Sequence, residues 1–399
     1  MKKILMLGGS HFQIPAIKYA KSSGYHVIVA DYLDDNPGKT YADEYYNISI
    51  VDKEKILALS KKLKIDGILS YAADPGAPTA AYVAQKLDLP GNPYESVKIL
   101  QRKDLFRKFL SKNGFNVPNS KSFKNLEDAK NFSKTRLSFN PIILKPVDSS
   151  GSKGVSKLHD LKNFQNLFNN AMKYSISKTI IIEDFIEKDI YQMDGDGFVW
   201  NNKLVFACFG NQHNDLDCNP YVPMGISFPY VQSKKIQQKA FNIVDSILNL
   251  LDMKVGGLNI EYLTDKNNNV YILEIGPRSG GNLIPEVIKY STGVDLIAAS
   301  VEGAMGKDMS YLKMKPTNGY FSSYILHAKN DGIVSNVKIN HNLNYEIIEQ
   351  NIMTKKNDFV KKFNGSNNTL GTFILKFNSL KEMTVLMNKM TNYINIKLQ

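Results

Sequence analysis

Apolar runs and amphipathic stretches alternate along the first hundred positions of the chain. Lys3–Leu7 is an apolar strand ending at Gly8-Gly9-Ser10, residues 15–22 have helical spacing up to Gly24, and residues 25–30 form a second apolar strand tipped by Asp31. This is a βαβ unit with an acid at the end of its second strand, as in a nucleotide-binding doubly wound sheet. Asp52 caps a helix that runs to Leu63, residues 67–70 add a strand, and residues 78–87 a helix. An open parallel sheet is therefore expected over residues 1–98.

The pattern then changes. One helix is expected over residues 97–113, its polar face carrying Arg102, Lys103 and Arg107, with Gly114 and Pro118 ending it. A polar connector leads to residues 141–146, a short apolar strand bearing Lys145, then to the loop Asp148-Ser-Ser-Gly-Ser-Lys-Gly154 and a helix over residues 161–172. Residues 179–182 form a β-branched strand that runs into Glu183-Asp184-Phe185-Ile186-Glu187. Residues 198–210 alternate like a strand pair about Asn201-Asn202, a long helix covers residues 232–251, and strands at 255–262 and 270–275 flank a hydrophilic turn. Strands at 319–328, 332–337 and 371–377 and a helix at 380–390 predict a small mixed α+β domain at the end. The fold class is thus α/β and α+β multidomain: an N-terminal open parallel sheet (1–98), a central domain (99–314) and a C-terminal α+β domain (315–399).

Three places carry candidate chemistry. Glu261 and Glu274 lie near the ends of two strands that a hairpin would set side by side, and adjacent carboxylates raise each other's pKa unless a cation neutralises them. Mg²⁺, with Mn²⁺ as an alternative, takes a few carboxylates and completes its shell with water and phosphate oxygens. Arg278, in the turn Gly276-Pro-Arg-Ser-Gly-Gly281, offers a planar fork to phosphate or carboxylate. Lys145, at the end of a buried strand, needs an anion. The adjoining loop, with Ser150, Gly151 and Gly154, can turn backbone N–H groups on a phosphate, although it is not a P-loop. Residues 180–187 could hold adenine through backbone groups, with Phe185 near the ring. Each feature also has an ordinary reading: an exposed cross-strand pair, a surface loop, a strand leaving the core and, for Lys103, a solvent-facing lysine.

Composition narrows the classes. With 43% hydrophobic and 22% charged residues over 399 positions, the chain can bury a full core. Its net charge of +12 comes mostly from lysines among asparagines, with only four arginines, so no nucleic-acid partner is expected. Cys208 and Cys218 have neither CxxC spacing nor a partner histidine cluster and read as incidental thiols. Lys2-Lys3 run straight into the first strand, and no stretch approaches the length of a membrane span. A cytoplasmic protein without membrane contact is expected.

Taken in order, these motifs resemble the ATP-grasp superfamily, specifically its carboxylate–amine ligases and its carbamoyl-phosphate synthase and biotin carboxylase types. Gln101-Arg-Lys103 followed by Gly114-Phe-Asn-Val-Pro118 is similar to the first ATP-binding lysine and the turn after it. Ile142-Ile-Leu-Lys145-Pro146 is similar to the second lysine, and residues 149–154 to the mobile glycine-rich lid. Ile182-Glu183-Asp184-Phe185-Ile186 looks like the adenine hinge. Asn259-Ile-Glu261 and Leu273-Glu274-Ile-Gly-Pro-Arg278 look like the metal-binding glutamates and the arginine on transferred phosphate or substrate.

The resemblance implies a two-lobed central domain using ATP and Mg²⁺. It places Lys103, Lys145, Ser150, Gly151, Gly154, Glu183, Phe185, Ile186 and Asp189 at the nucleotide, Glu261 and Glu274 on the metal, and Arg278 and Lys145 in catalysis. The implied activity is a ligase that converts a small-molecule carboxylate to an acylphosphate and joins it to an amine, with a homodimer as the default assembly. A bicarbonate-using carboxylase of purine-precursor type, a non-catalytic nucleotide-binding regulatory protein and an NAD-dependent dehydrogenase are the alternatives. Two positions depart from the family. The usual ribose-binding glutamate falls at Ile190, with Asp189 or Glu187 as substitutes, and Gly276 stands where many relatives have a metal-binding asparagine. Residues 210–225, including His213, are expected to form the loop that selects the substrate.

Overall fold

In a computed structural model that describes residues 1–340 and 344–399, the N-terminal apolar runs pair as a parallel sheet. Its strands β1 (Lys3–Leu7), β2 (His26–Asp31), β3 (Glu44–Asn47) and β4 (Gly67–Leu69) lie in the order β3-β2-β1-β4. Helix α1 (Ile14–Ser22) connects β1 to β2, α2 (Lys53–Leu63) connects β3 to β4 and α3 (Ala77–Leu87) follows β4, and Asp52 caps α2 by accepting from the Lys55 N–H. The central strands read as unbroken apolar runs because both their faces are buried. The glycine turn after β1 is covered by the chain itself. Gly38 donates its N–H to the Gly9 carbonyl, and a Cβ on Gly38 would sit 2.6 Å from that oxygen. Asp31 holds the same turn by accepting from the Gly9 N–H at 3.1 Å.

The expected single helix over residues 97–113 is instead two, α4 (Tyr94–Gln101) and α5 (Lys103–Lys112), separated by an extended Arg102 (φ −103°, ψ 112°). The break leaves the Lys103 N–H free to donate to the Val147 carbonyl at 2.9 Å, tying the start of α5 to the end of the strand that carries Lys145. Arg107, expected on a polar face, is only 2% exposed.

The next lobe is the antiparallel sheet of β5 (Ser120–Phe123), β6 (Ile142–Pro146), β7 (Ser156–Leu158) and β8 (Ile180–Asp184), in the order β5-β8-β6-β7. Helices α6 (Leu126–Leu137) and α7 (Phe164–Tyr174) pack on its apolar side, where Ile142, Leu144, Ile180 and Ile182 meet Phe164 and Phe168. The polar connector of the sequence reading therefore contains β5 and α6, the latter capped by Asn125.

The remaining elements are β9 (Met193–Trp200), β10 (Lys203–Asn214), β11 (Pro223–Phe228), α8 (Lys234–Leu250), β12 (Val255–Thr264), β13 (Val270–Gly276), α9 (Ile284–Thr292), α10 (Leu296–Ala304), β14 (Tyr320–Leu326), β15 (Gly332–Ile339), β16 (Tyr345–Ile352), β17 (Phe359–Val360), β18 (Gly371–Phe377), α11 (Leu380–Met387) and β19 (Ile394–Leu398). One eight-stranded sheet runs β13-β12-β9-β10-β11-β14-β18-β16, and β17-β15-β19 form a small one. The C-terminal strands thus extend the central sheet, through the pairs Ser227↔Ser322 and Phe228↔Phe321. Ile236, Ala240, Val244, Ile247 and Leu248 form a helical stripe on α8 that shares a core with Leu258, Ile260 and Tyr262 of β12. Strand alternation then puts Asn259 and Glu261 on the other face of β12.

Candidate active site

On that opposite face three carboxylates stand in register across three strands: Glu261 of β12 faces Glu274 of β13 on one side and Asp194 of β9 on the other. Asn259 donates to Asp194 at 2.8 Å and to Asp196 at 3.1 Å, and Asp196 also accepts from the Gly280 N–H at 2.7 Å. The electrostatic outcome is unfavourable for charge. Burial, then the Asp194 and Glu274 charges, push the Glu261 carboxyl well above the carboxylate range. Burial likewise lifts Asp194 to about 6 and, against its hydrogen bonds, Asp196 to about 8. The cation beside this row is Lys103, whose Nζ is 3.0 Å from Glu274 and donates to the Ser149 carbonyl at 3.0 Å. Burial alone would lower the Lys103 ammonium, but Glu274, Asp74 and Glu261 outweigh it and raise it.

Arg278 is predicted to face substrate or phosphate, and the structure gives its guanidinium a second duty. Its Nε and one terminal nitrogen donate to the two Asp74 oxygens at 2.7 and 2.6 Å, and the other terminal nitrogen to the Ser279 carbonyl at 3.0 Å. Asp74 lies in the N-terminal unit just before α3, so this fork fastens that unit to the turn after β13. Gly276 makes room for the pair: a Cβ there would lie 3.3 Å from both the Arg278 guanidinium carbon and an Asp74 oxygen.

Lys145 lies in a second cluster. Its Nζ is 2.6 Å from Glu183, which also pairs with Arg107 at 2.7 Å. Burial works to raise the Glu183 carboxyl, but the Arg107 and Lys145 charges hold it down at about 2. Burial lowers the Lys145 ammonium despite Glu183. Arg107 also donates to the Leu273 carbonyl at 2.9 Å, next to Glu274, and so joins the two clusters. The glycine-rich loop closes over the first. Ser150 lies against Asp74, and Gly151 (φ +66°) and Gly154 (φ +73°) have left-handed backbones. A Cβ on Gly154 would meet Ala171, Pro146 and Tyr174 at 3.1–3.2 Å.

At the expected hinge, Glu183 contributes its side chain to the ion cluster, while Asp184 is bound by Arg136. Phe185 is half-buried with the Lys157 ammonium 3.5 Å from its ring centre, and Ile186 is half-buried beside it. Asp189 and Glu187 are exposed, Asp189 donating its backbone N–H to the Thr264 carbonyl at 2.8 Å. One residue that the sequence reading passed over, Gln192, reaches the carboxylate row and donates to Glu261 at 2.9 Å. Asp74, Arg107, Asp194 and Asp196 were also missed. The spacing of Asp194 and Asp196 was a period-2 signal, obscured by the glycines between and after them. His213 is not in a loop: it lies on β10, 2% exposed, between Ser227 and Asn388 at 2.8 and 2.9 Å. Burial pushes it down to about 4, and the segment read as one loop is the end of β10, a short connection and β11.

Residues 101–282 match the family model described as an ATP-grasp domain. The chain is 26% identical over 241 residues to the carbamoyl phosphate synthase large chain of Thermoanaerobacter pseudethanolicus, which covers 59% of this chain and 21% of that protein. The chain thus spans a small part of the length of this curated relative. Among solved structures it is similar to an L-amino acid ligase from Bacillus licheniformis, with a TM-score of 0.81 at 18% identity over 100% of this chain and 99% of that one. It is also similar to phosphoribosylglycinamide synthetase from Anaerococcus prevotii, with a TM-score of 0.75 at 23% identity over the whole of both chains. The chain therefore carries an ATP-grasp domain at residues 101–282, set within the fold of these solved structures.

Proposed function

We propose that this protein is an ATP-dependent carboxylate–amine ligase: it activates a small-molecule carboxylate as an acylphosphate and joins it to an amine. The observation that carries this reading is the row Glu274, Glu261 and Asp194, whose mutual repulsion in a buried site is the condition a divalent cation relieves. Glu261 and Glu274 would hold Mg²⁺, for which Mn²⁺ is the substitute, and the metal supplies charge neutralisation on phosphate oxygens. Lys103 would exchange Glu274 for a phosphate oxygen, and Lys145, already oriented by Glu183, would face the phosphates nearer the base. The backbone of residues 184–186 would hold adenine, with Phe185 against the ring, and Asp189 is the candidate for the ribose hydroxyls. Arg278, anchored by Asp74, would orient the acyl group. The loop bearing Ser150, Gly151 and Gly154 would keep water from the activated acyl group.

The test is release of ADP and phosphate by the purified chain across a panel of acids, amines and acid–amine pairs. Turnover is expected only when both partners are present, and Glu274→Gln should abolish it. Turnover with bicarbonate and an amine alone would assign a carboxylase instead. ATP binding without turnover across the panel would assign a regulatory nucleotide-binding role.

A further inference from the structure

The connection between β10 and β11 and the residue after β14 bring together three metal-ligating side chains that the ATP reading does not use. Asp215, Cys218 and His327 present ligand atoms that all lie within 4.8 Å of one another. His327 Nε2 is 3.1 Å from Asp215 Oδ2, and Cys218 Sγ is 3.4 Å from that same carboxylate oxygen. These separations suit adjacent corners of a tetrahedron around an ion bonded at about 2.0 Å to nitrogen or oxygen and about 2.3 Å to sulfur.

The orientation of the imidazole is a second observation. His327 is 3% exposed and stacks on Phe363 with ring centres 4.4 Å apart. Its Nδ1 lies 2.7 Å from the Ile325 carbonyl oxygen, which can only accept, so a proton is assigned to Nδ1, and in the neutral imidazole the Nε2 lone pair then faces the Asp215 carboxylate. A backbone carbonyl on the far ring nitrogen is how ligating histidines are commonly oriented. Two facing lone pairs require positive charge between them, a proton or a cation, and the converging sulfur favours a cation. Asp215 is pre-oriented because its other oxygen accepts from the Asp217 N–H at 3.0 Å. Cys218 is half-buried, so the site opens toward solvent on one side.

We propose that Asp215, Cys218 and His327 bind a zinc-type divalent cation. Cys218 binds as the thiolate, its proton passing to solvent as the sulfur–metal bond forms, and water fills the fourth position. The cation clasps residues 215–222 to the end of β14. The glycine-rich loop leans on that segment, since the Ser152 hydroxyl donates to the Tyr221 carbonyl.

The test uses the full chain, dialysed against a chelator and titrated with Co²⁺ alone. About one equivalent should bind with a sulfur-to-cobalt charge-transfer band, displaced by Zn²⁺, lost in Cys218→Ser and kept in Cys208→Ser. Zn²⁺ should raise the thermal midpoint of the original chain but not that of His327→Gln. If Cys218→Ser does not fold, Asp215→Asn replaces it and should weaken Co²⁺ at least about tenfold. No band in the folded original chain overturns the proposal and leaves His327 and Asp215 as an ion pair. A band that survives in Cys218→Ser, or unweakened Co²⁺ binding in Asp215→Asn, overturns it too. The carboxylate row of the ATP site contains no sulfur, so this outcome is independent of ligase activity.

Discussion

Helix α5 reaches into two clusters of buried charge, one through Arg107 and the other through Lys103, and the two are balanced differently. Around Arg107 one acid, Glu183, meets two cations, and its carboxyl is held at about 2. Around Lys103 four acids (Glu274, Glu261, Asp194 and Asp196) crowd one lysine, because the nearby Arg278 is committed to Asp74. Three of these carboxyls rise, Glu261 well above the usual range, Asp194 to about 6 and Asp196 to about 8. The Glu183 cluster is complete and supports the fold. The carboxylate row at Lys103 lacks positive charge, and that deficit, more than the presence of buried acids, marks the place where a metal and phosphates are expected to act.

Four experiments break or sharpen this contrast. The largest effect is expected for Glu183→Ala. It strands two buried cations and should cost about 3–5 kcal/mol in chemical denaturation at pH 7, whereas a loss below about 1 kcal/mol would show that the Glu183 cluster does not support the fold. Glu261→Gln should act in the opposite sense on stability. Removing a repelled charge should leave the denaturation midpoint unchanged or higher, while ligase turnover falls about 100-fold, or about 2.7 kcal/mol in barrier. A variant that loses stability and activity together would contradict the metal role.

The third effect is the part of the pH dependence that Glu183 contributes, opposite in sign to that of the raised carboxyls Asp194, Asp196 and Glu261. The Glu183 carboxyl is depressed from 4.5 to about 2, so its stabilisation is fully present above about pH 4.5 and is lost as the pH falls toward 2. Between pH 7 and pH 3.5 the original chain should lose about 1 kcal/mol more than Glu183→Gln does, as denaturation of both chains at the two pH values would reveal. The smallest effect is expected for Gly276→Asn, which crowds the Arg278–Asp74 fork. It should cost about 1 kcal/mol in stability and raise KM more than it lowers kcat. A variant that is instead faster would mean that the asparagine supplies a metal ligand this chain lacks.

Much of this arrangement was legible in order along the chain. The parallel N-terminal sheet, the two strands of the glutamate hairpin and the glycine-rich loop follow from apolar runs, alternation and turn residues, which are local properties. Glu261 and Glu274 were expected to meet, and they are paired across β12 and β13. Arg107 was misread because helical periodicity assigns a polar residue to a wet face and cannot register that Glu183, 76 positions away, waits beneath it. The helix was drawn through Arg102 for a similar reason: the carbonyl of Val147, which receives the Lys103 N–H, is remote in sequence.

What the sequence alone determined is the set of elements and the inventory of reactive groups, because backbone propensity and side-chain chemistry are carried residue by residue. Only the tertiary structure decided which charges share a cavity and therefore which are neutralised. It put Asp194 beside Glu261, turned Arg278 onto Asp74, and set His327 against Asp215 across 112 positions. Desolvation and Coulomb interactions depend on separation in space and on excluded water, and neither is encoded by distance along the chain.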